Sequence, residues 1–188
     1  MIITPAAPED LGLLISFRDE AARWLAARGI DQWQEPYPTE DLMEEGMLRS
    51  IRAGETFIVW DDDGTPAATI TVDRWANPDL WTPEEAAVPA LYAHKLTVAR
   101  ACAGQGLGSE LLDWAGTRAA AAGDRWLRVD VWTTNRQLQD YYLGLGFTHV
   151  RTVALPHNPS GALFQRPARH AATPRLREAA RTLTARSR

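Results

Sequence analysis

The chain has one cysteine, Cys102, and one lysine, Lys95, in 188 residues. A single thiol excludes an intrachain disulfide framework, and with it the small extracellular scaffolds that depend on one. Long apolar runs are missing too. Nothing approaches the roughly twenty consecutive apolar residues of a membrane helix, and the opening MIITPAAPEDLG lacks a basic segment leading into an apolar one. These absences lead us to expect a cytoplasmic protein with no membrane partner. Repeats and low-complexity segments are absent. The other nineteen basic residues are all arginine, which we read as codon bias in a GC-rich genome rather than as function.

What remains is ordinary for one globular domain: 45% hydrophobic and 23% charged residues, and enough length for a sizeable core. Charge is unevenly placed. From Arg166 to the end there are seven arginines against Glu178, a net of +6, so a total of −4 leaves −10 on residues 1–165. An acidic body favours a cationic partner. We therefore expect a domain over residues 1–166 and an Arg-rich tail over 167–188. The tail is poor in apolar residues and is expected to be partly unstructured or to carry a short helix from Pro174 to Ala185. Its charge reads as a solvated basic end, and no nucleic-acid partner is expected.

The most informative stretch is residues 94–112, HKLTVARACAGQGLGSELL. An apolar strand, His94 to Val98, runs into a loop with Gly104, Gly106 and Gly108. A helix follows, with Leu107, Leu111, Leu112, Ala115, Ala119 and Ala122 at spacings of three and four. Without Cβ atoms, successive N–H groups can turn toward one anion at the positive end of the helix. Such a nest suits a phosphate or diphosphate. A P-loop would need Lys and then Ser or Thr after the last glycine, where Ser109 and Glu110 stand. A Rossmann G-x-G-x-x-G finds Ser109 or Leu111 at its third glycine and lies about ninety residues into the chain. Cys102, close by, reads as a small spacer, since no histidine or acid is placed to activate it.

The loop resembles motif A of the GNAT superfamily of N-acetyltransferases, [RQ]-x-x-G-x-[GA] after a strand of the type h-x-h-x-V. It matches as Ala103-Gly104-Gln105-Gly106-Leu107-Gly108 behind Leu96-Thr97-Val98, with Ala103 where a basic or amide residue is usual. Arg100 and Gln105 are near enough in sequence to take over that contact. Asn135 to Phe147, NRQLQDYYLGLGF, is similar to motif B, N-x-x-(A/M)-x-x-x-Y-x-x-x-G-F, in the right order and about thirty residues on. The resemblance implies an α/β (α+β) GNAT fold: a mixed, mostly antiparallel sheet with splayed strands four and five, flanked by helices. It also implies acetyl-CoA as cosubstrate and a bacterial small-molecule N-acetyltransferase that works by direct amine attack. Leu96, Thr97 and Val98 would then pair with pantetheine. Ala103, Gly104, Gln105, Gly106, Leu107, Gly108 and Ser109 would hold the diphosphate. Asn135 would lie beside the pantetheine arm, and Tyr142 would face the thioester sulfur as proton donor. A second copy of the chain is a common partner among small members. No metal is called for.

The pattern of elements agrees. Expected helices run from Pro8 to Arg28, Glu40 to Arg52 behind the cap Thr39, through Leu107 to Ala122, and from Asn135 to Leu145. Expected strands are Ile2–Thr4, Thr56–Trp60, Ala67–Asp73, Leu91–Val98, Trp126–Trp132, Phe147–Leu155 and Ala162–Gln165. Amine attack needs a base, because an amine of pKa near ~10 is protonated at neutral pH. His94 is the catalytic candidate, with Glu55, Asp73 and Asp130 beside it; its alternation with Leu96 and Val98 equally suits a core histidine. Trp33, Tyr37, Trp75, Trp81 and Trp132, with Asp31, Glu35 and Asp79, are candidates for an acceptor site of aromatic walls and acids. Ala103 in place of a basic residue keeps one alternative open, a module that binds acyl-CoA with little or no turnover. A nucleotide-binding oxidoreductase is disfavoured by the glycine register.

Overall fold

We describe a computed structural model of the chain over residues 1–34, 39–156 and 158–179. The strands are β1 (Ile2–Pro5), β2 (Thr56–Trp60), β3 (Pro66–Asp73), β4 (Ala90–Val98), β5 (Trp126–Val131), β6 (Thr148–Thr152), β7 (Ala162–Pro167) and a short β8 (Arg177–Glu178). Segments of period 3.6 form α1 (Leu11–Ala26), α2 (Glu40–Arg52), α4 (Leu107–Ala121) and α5 (Arg136–Gly144), and a single turn forms α3 (Pro83–Ala86). Local chemistry sets the ends. The Thr39 hydroxyl accepts from the Leu42 N–H, and in a capping box Thr82 and Glu85 each satisfy the other's backbone at α3.

The eight strands form one sheet in the order β6-β7-β5-β4-β3-β2-β1-β8. Neighbours are antiparallel except β4 with β5 and β1 with β8. One face packs on α4 and α5 through Ile70, Ala93, Leu111, Leu112, Ala115 and Val129. The other face carries α1 and α2 over Ile58, and farther along Leu80 and Trp81 over Tyr92 and Leu163. No helix of the described residues is long and apolar enough to cross a membrane.

The sheet opens at its centre. β4 and β5 pair only at Ala90–Trp126, Leu91–Leu127 and Tyr92–Arg128, so the remainder of β4 has no strand neighbour on that side among the described residues. β4 also carries one extra residue against β3: Thr71 faces His94 while Thr69 faces Thr97. Lys95, at the bulge, has φ 49°. A bulge of this kind bends the strand and reverses the alternation beyond it. His94 therefore stacks on Tyr92, on the α1 and α2 face, whereas Leu96 and Val98 pack into the α4 core. The alternation that would make His94 a companion of Leu96 and Val98 does not hold, because it assumes an unbroken strand.

The C-terminal segment differs from its sequence reading. Instead of starting a helix at Pro174, the described part turns at 174–175 and pairs as β8 with β1, Ile2 beside Arg177 and Ile3 beside Glu178. Leu176 is buried in the main core. Glu178 accepts from Trp114 Nε1 at 3.2 Å and from Arg118 at 2.6 Å. One leucine and one acid with the right partners hold a segment whose composition is otherwise that of a solvated tail.

Candidate active site

Two cavities meet where β4 leaves β5. The first is a groove of about 380 Å³ lined by Leu96, Thr97 and Val98 of β4, Asn135, Gln137, Leu138 and Tyr141 at α5, and Trp24, Gln32 and Trp33 from the end of α1 and the loop after it. The second, of about 170 Å³, lies on the α1 and α2 side, with Leu14, Met43, Met47, Trp33 and Trp132 as its apolar wall. Thr56, Thr69, Thr71 and Thr97 form a hydroxyl-bearing surface, and Arg18 and Lys95 contribute cations. Trp33 and Thr97 belong to both cavities. Trp33 and Lys95 are also the described non-glycine residues with positive φ, 63° and 49°. Strain of this sort persists where surrounding structure enforces it and collects at functional sites.

At the outer end of the groove lies the glycine loop. Gly104 and Gly106 have φ 76° and 77°, a conformation that costs other residues strain. The first N–H of α4 to bond back is that of Glu110, to Gly106 O at 3.1 Å, leaving the N–H groups of Leu107, Gly108 and Ser109 at the helix start without intrahelical acceptors. The Ser109 hydroxyl donates to Gly106 O at 2.7 Å, and Gln105 Nε2 donates to Ala101 O at 3.2 Å. Gly108 has a further reason to lack a side chain: a Cβ there would lie 3.0 Å from the Tyr141 hydroxyl and 3.6 Å from Leu96. A loop of this form, open to a groove along an unpaired strand edge, fits an extended ligand with a diphosphate at one end.

Asn135 caps α5 by accepting from the Leu138 N–H at 3.0 Å, and its Nδ2 donates to Gln32 Oε1 at 2.7 Å. This ties the loop after α1 to the far wall of the groove. Tyr142 lies in the core, edge-on to Phe147 at 5.3 Å and stacked on Phe164 at 6.3 Å. Burial, with the nearby Tyr141 and Asp130, pushes its hydroxyl well above the usual phenol range. Tyr141, edge-on to it at 5.7 Å, is the tyrosine that lines the groove.

The His94 ring lies between two carboxylates, with Nε2 3.4 Å from Asp73 and Nδ1 4.0 Å from Asp130. The Asp73 contact is close enough for charge attraction but is not aligned as a hydrogen bond, and Nε2 is buried without a hydrogen-bond partner among the described residues. Burial works to raise Asp73, but the adjacent His94 ring and a 2.9 Å hydrogen bond from the Trp75 N–H outweigh it and hold the carboxyl low. Burial pushes Asp130 up, against His94 and a 3.0 Å hydrogen bond from Trp81 Nε1. Glu55 is raised by burial and then by Asp73. Lys95 is lowered by burial. The cluster adjoins the second cavity: Thr71 is the cross-strand partner of His94, Lys95 follows it, and Trp132 lies two residues beyond Asp130.

Not every sequence candidate converges here. Trp75 is exposed on the surface, and Trp81 is buried beneath the Arg128 guanidinium at 4.5 Å. Asp31 accepts from Trp132 Nε1 at 3.0 Å and Thr134 Oγ1 at 2.5 Å, which fixes the cavity wall without lining it. Glu35 and Tyr37 lie outside the described residues. Among the described lining residues there is no carboxylate. Thr56, Thr69, Thr71 and Lys95 escaped sequence reasoning, because neither a bulge nor a hydroxyl-bearing strand face leaves a motif.

Comparison with known proteins agrees with this geometry. Residues 19–147 match the model of the Acetyltransferase (GNAT) family, a span that includes β4, the glycine loop and α5. The chain is 28% identical over 145 residues to an uncharacterised N-acetyltransferase, YesJ, of Bacillus subtilis, covering 76% of this chain and 79% of that protein. A GNAT-family acetyltransferase from Listeria monocytogenes superimposes with a TM-score of 0.70 at 23% identity, over 88% of this chain and 93% of that one. The yncA acetyltransferase of Salmonella typhimurium, solved with its cofactor acetyl-CoA, does so with a TM-score of 0.62 at 15% identity, over 92% and 96%. With the splayed sheet, the open strand edge and the glycine loop in their places, the chain belongs to the GNAT family and is an N-acetyltransferase that uses acetyl-CoA.

Proposed function

We propose that the protein transfers the acetyl group of acetyl-CoA to the amine of a compact small molecule, by direct attack in the gap between β4 and β5. The carrying observation is that the groove and the second cavity share Trp33 and Thr97, so two substrates entering from opposite faces meet at one point. Acetyl-CoA supplies the acyl group already activated as a thioester. Leu96 to Val98 offer it an unpaired strand edge, Ala103 to Ser109 a diphosphate nest, and Asn135 a fixed wall for the pantetheine arm.

The acceptor occupies the threonine-lined cavity. His94 takes the amine's proton, directly or through water, and Asp73 and Asp130 on either side stabilise the charge it gains. Main-chain N–H groups on the β4 edge that β5 leaves unpaired hold the oxygen that becomes negative. Tyr142 donates a hydrogen bond to the departing sulfur; its raised pKa keeps the phenol protonated throughout the working range. The absence of carboxylates among the described lining residues, with Lys95 inside the cavity, favours acceptors whose far end is neutral or anionic over polyamines.

A panel of amines at saturating acetyl-CoA, followed by release of free thiol, tests this reading. Compact amines, amino acids among them, are expected to drive thiol release well above the rate without acceptor, and diamines and polyamines to do so poorly. Turnover confined to polyamines or to protein tails would overturn the acceptor assignment.

A further inference from the structure

We propose that Arg175, carried by the C-terminal segment, is a diphosphate-binding residue of the acetyl-CoA site. The loop and helix start attract an anion, but Glu110 stands in the first turn of α4 with its side chain almost fully buried. An unpaired carboxylate there would oppose a diphosphate on the same helix end. Arg175 cancels it. Its backbone N–H donates to Glu110 Oε1 at 2.7 Å and its Nε to Oε2 at 2.5 Å. The same guanidinium extends along the loop: Nη1 donates to Gln105 O at 2.9 Å, and Nη2 lies 3.8 Å from where a Cβ on Gly106 would be. Nη2 donates to no described residue, and the side chain is 38% exposed, so it can meet a ligand on the nest.

The candidates nearer in sequence make other contacts, Arg100 on the groove wall. Ala103 has no polar group, Arg100 lies over the Trp24 ring at 4.1 Å, and Gln105 turns its amide back to Ala101. Arg175 is held in place from both sides: Ala171 donates to Thr117 Oγ1 at 3.0 Å before it, and Leu176 and β8 anchor the chain after it. It lies beyond residues 19–147, the span that matches the family.

Calorimetric titration of the full chain and its Arg175→Ala and Arg175→Gln variants tests the assignment, with acetyl-CoA, 3′-dephospho-acetyl-CoA and acetyl-pantetheine as ligands. Loss of charged hydrogen bonds should weaken both nucleotide-bearing ligands about ten- to a hundredfold. Acetyl-pantetheine, which lacks the diphosphate, should bind all variants alike. Adding Glu110→Gln to Arg175→Ala should recover part of the loss. Unchanged acetyl-CoA affinity would overturn the proposal. So would equal weakening for acetyl-pantetheine, which would mean that the segment only supports the fold, or a loss confined to the ligand bearing the 3′-phosphate.

Discussion

Tyr141 and Tyr142 are adjacent in sequence and burial raises both phenols, but they stand in different surroundings. Tyr142 is buried against Phe147 and Phe164, with its hydroxyl pushed up by burial. Tyr141 is open to the groove, its hydroxyl close to Gly108. Removing only the hydroxyl separates their roles. Tyr142→Phe keeps the ring packing and should leave acetyl-CoA affinity unchanged while lowering kcat by about 10²–10⁴, the usual worth of a positioned proton donor. Tyr141→Phe should lower kcat much less; the reverse ranking in steady-state kinetics would transfer the role to Tyr141. Lys95→Met should raise KM for acceptors with an anionic end and spare neutral ones, since the change removes charge and keeps bulk. At this scale the motif register singles out Asn135 and Tyr142; the structure sets Asn135 on the groove wall and Tyr142 in the core. The sequence marks Trp33 by its ring but not the positive φ there or at Lys95, because backbone forced to positive φ by its surroundings leaves no glycine or asparagine to mark it.

Among the elements, the glycine loop and the loop before β7 are the least tolerant. Gly106 needs its φ of 77° for the nest. Gly106→Val should abolish measurable acetyl-CoA binding with the far-ultraviolet circular dichroism of the fold retained; unchanged affinity in a folded variant would remove the diphosphate from this loop. At Gly161 a Cβ would lie 1.9 Å from Val153 O, and the glycine N–H meets Thr133 Oγ1 at 3.2 Å beside the acceptor cavity. Gly161→Ala should therefore cost at least about 1–3 kcal/mol in denaturant unfolding. The strands and long helices followed from periodicity and caps. α3 did not, being a single turn, and β8 did not, since its two residues pair with the opposite end of the chain. Composition reads the C-terminal segment as a solvated tail; Leu176 is buried in the core instead, and Leu176→Ala should destabilise the whole fold by about 2–5 kcal/mol.

Across the whole molecule, charge acts through a few partly buried pairs more than through the net of −4. Arg151 grips Glu85 with two contacts, 2.6 and 2.7 Å, beside the α3 turn, and its hydrogen bonding lowers the Glu85 carboxyl to about 2. A group whose folded pKa lies below its unfolded value of 4.5 stabilises the fold above that value, and its contribution is lost as pH falls toward 2. The melting temperature should therefore decline over that window, and Glu85→Gln should be less stable at neutral pH with a shallower acid decline. An unaltered slope would assign the acid sensitivity to other carboxylates. The central claim is direct transfer from thioester to amine within the gap between β4 and β5. A quenched single turnover, with protein in excess over isotopically labelled acetyl-CoA and an active compact amine, follows the acetyl group itself. The account predicts label on the amine, thiol released in equal amount and no acetylated protein. Label that remains on CoA, or that accumulates on the chain at Lys95 or Cys102, would contradict it.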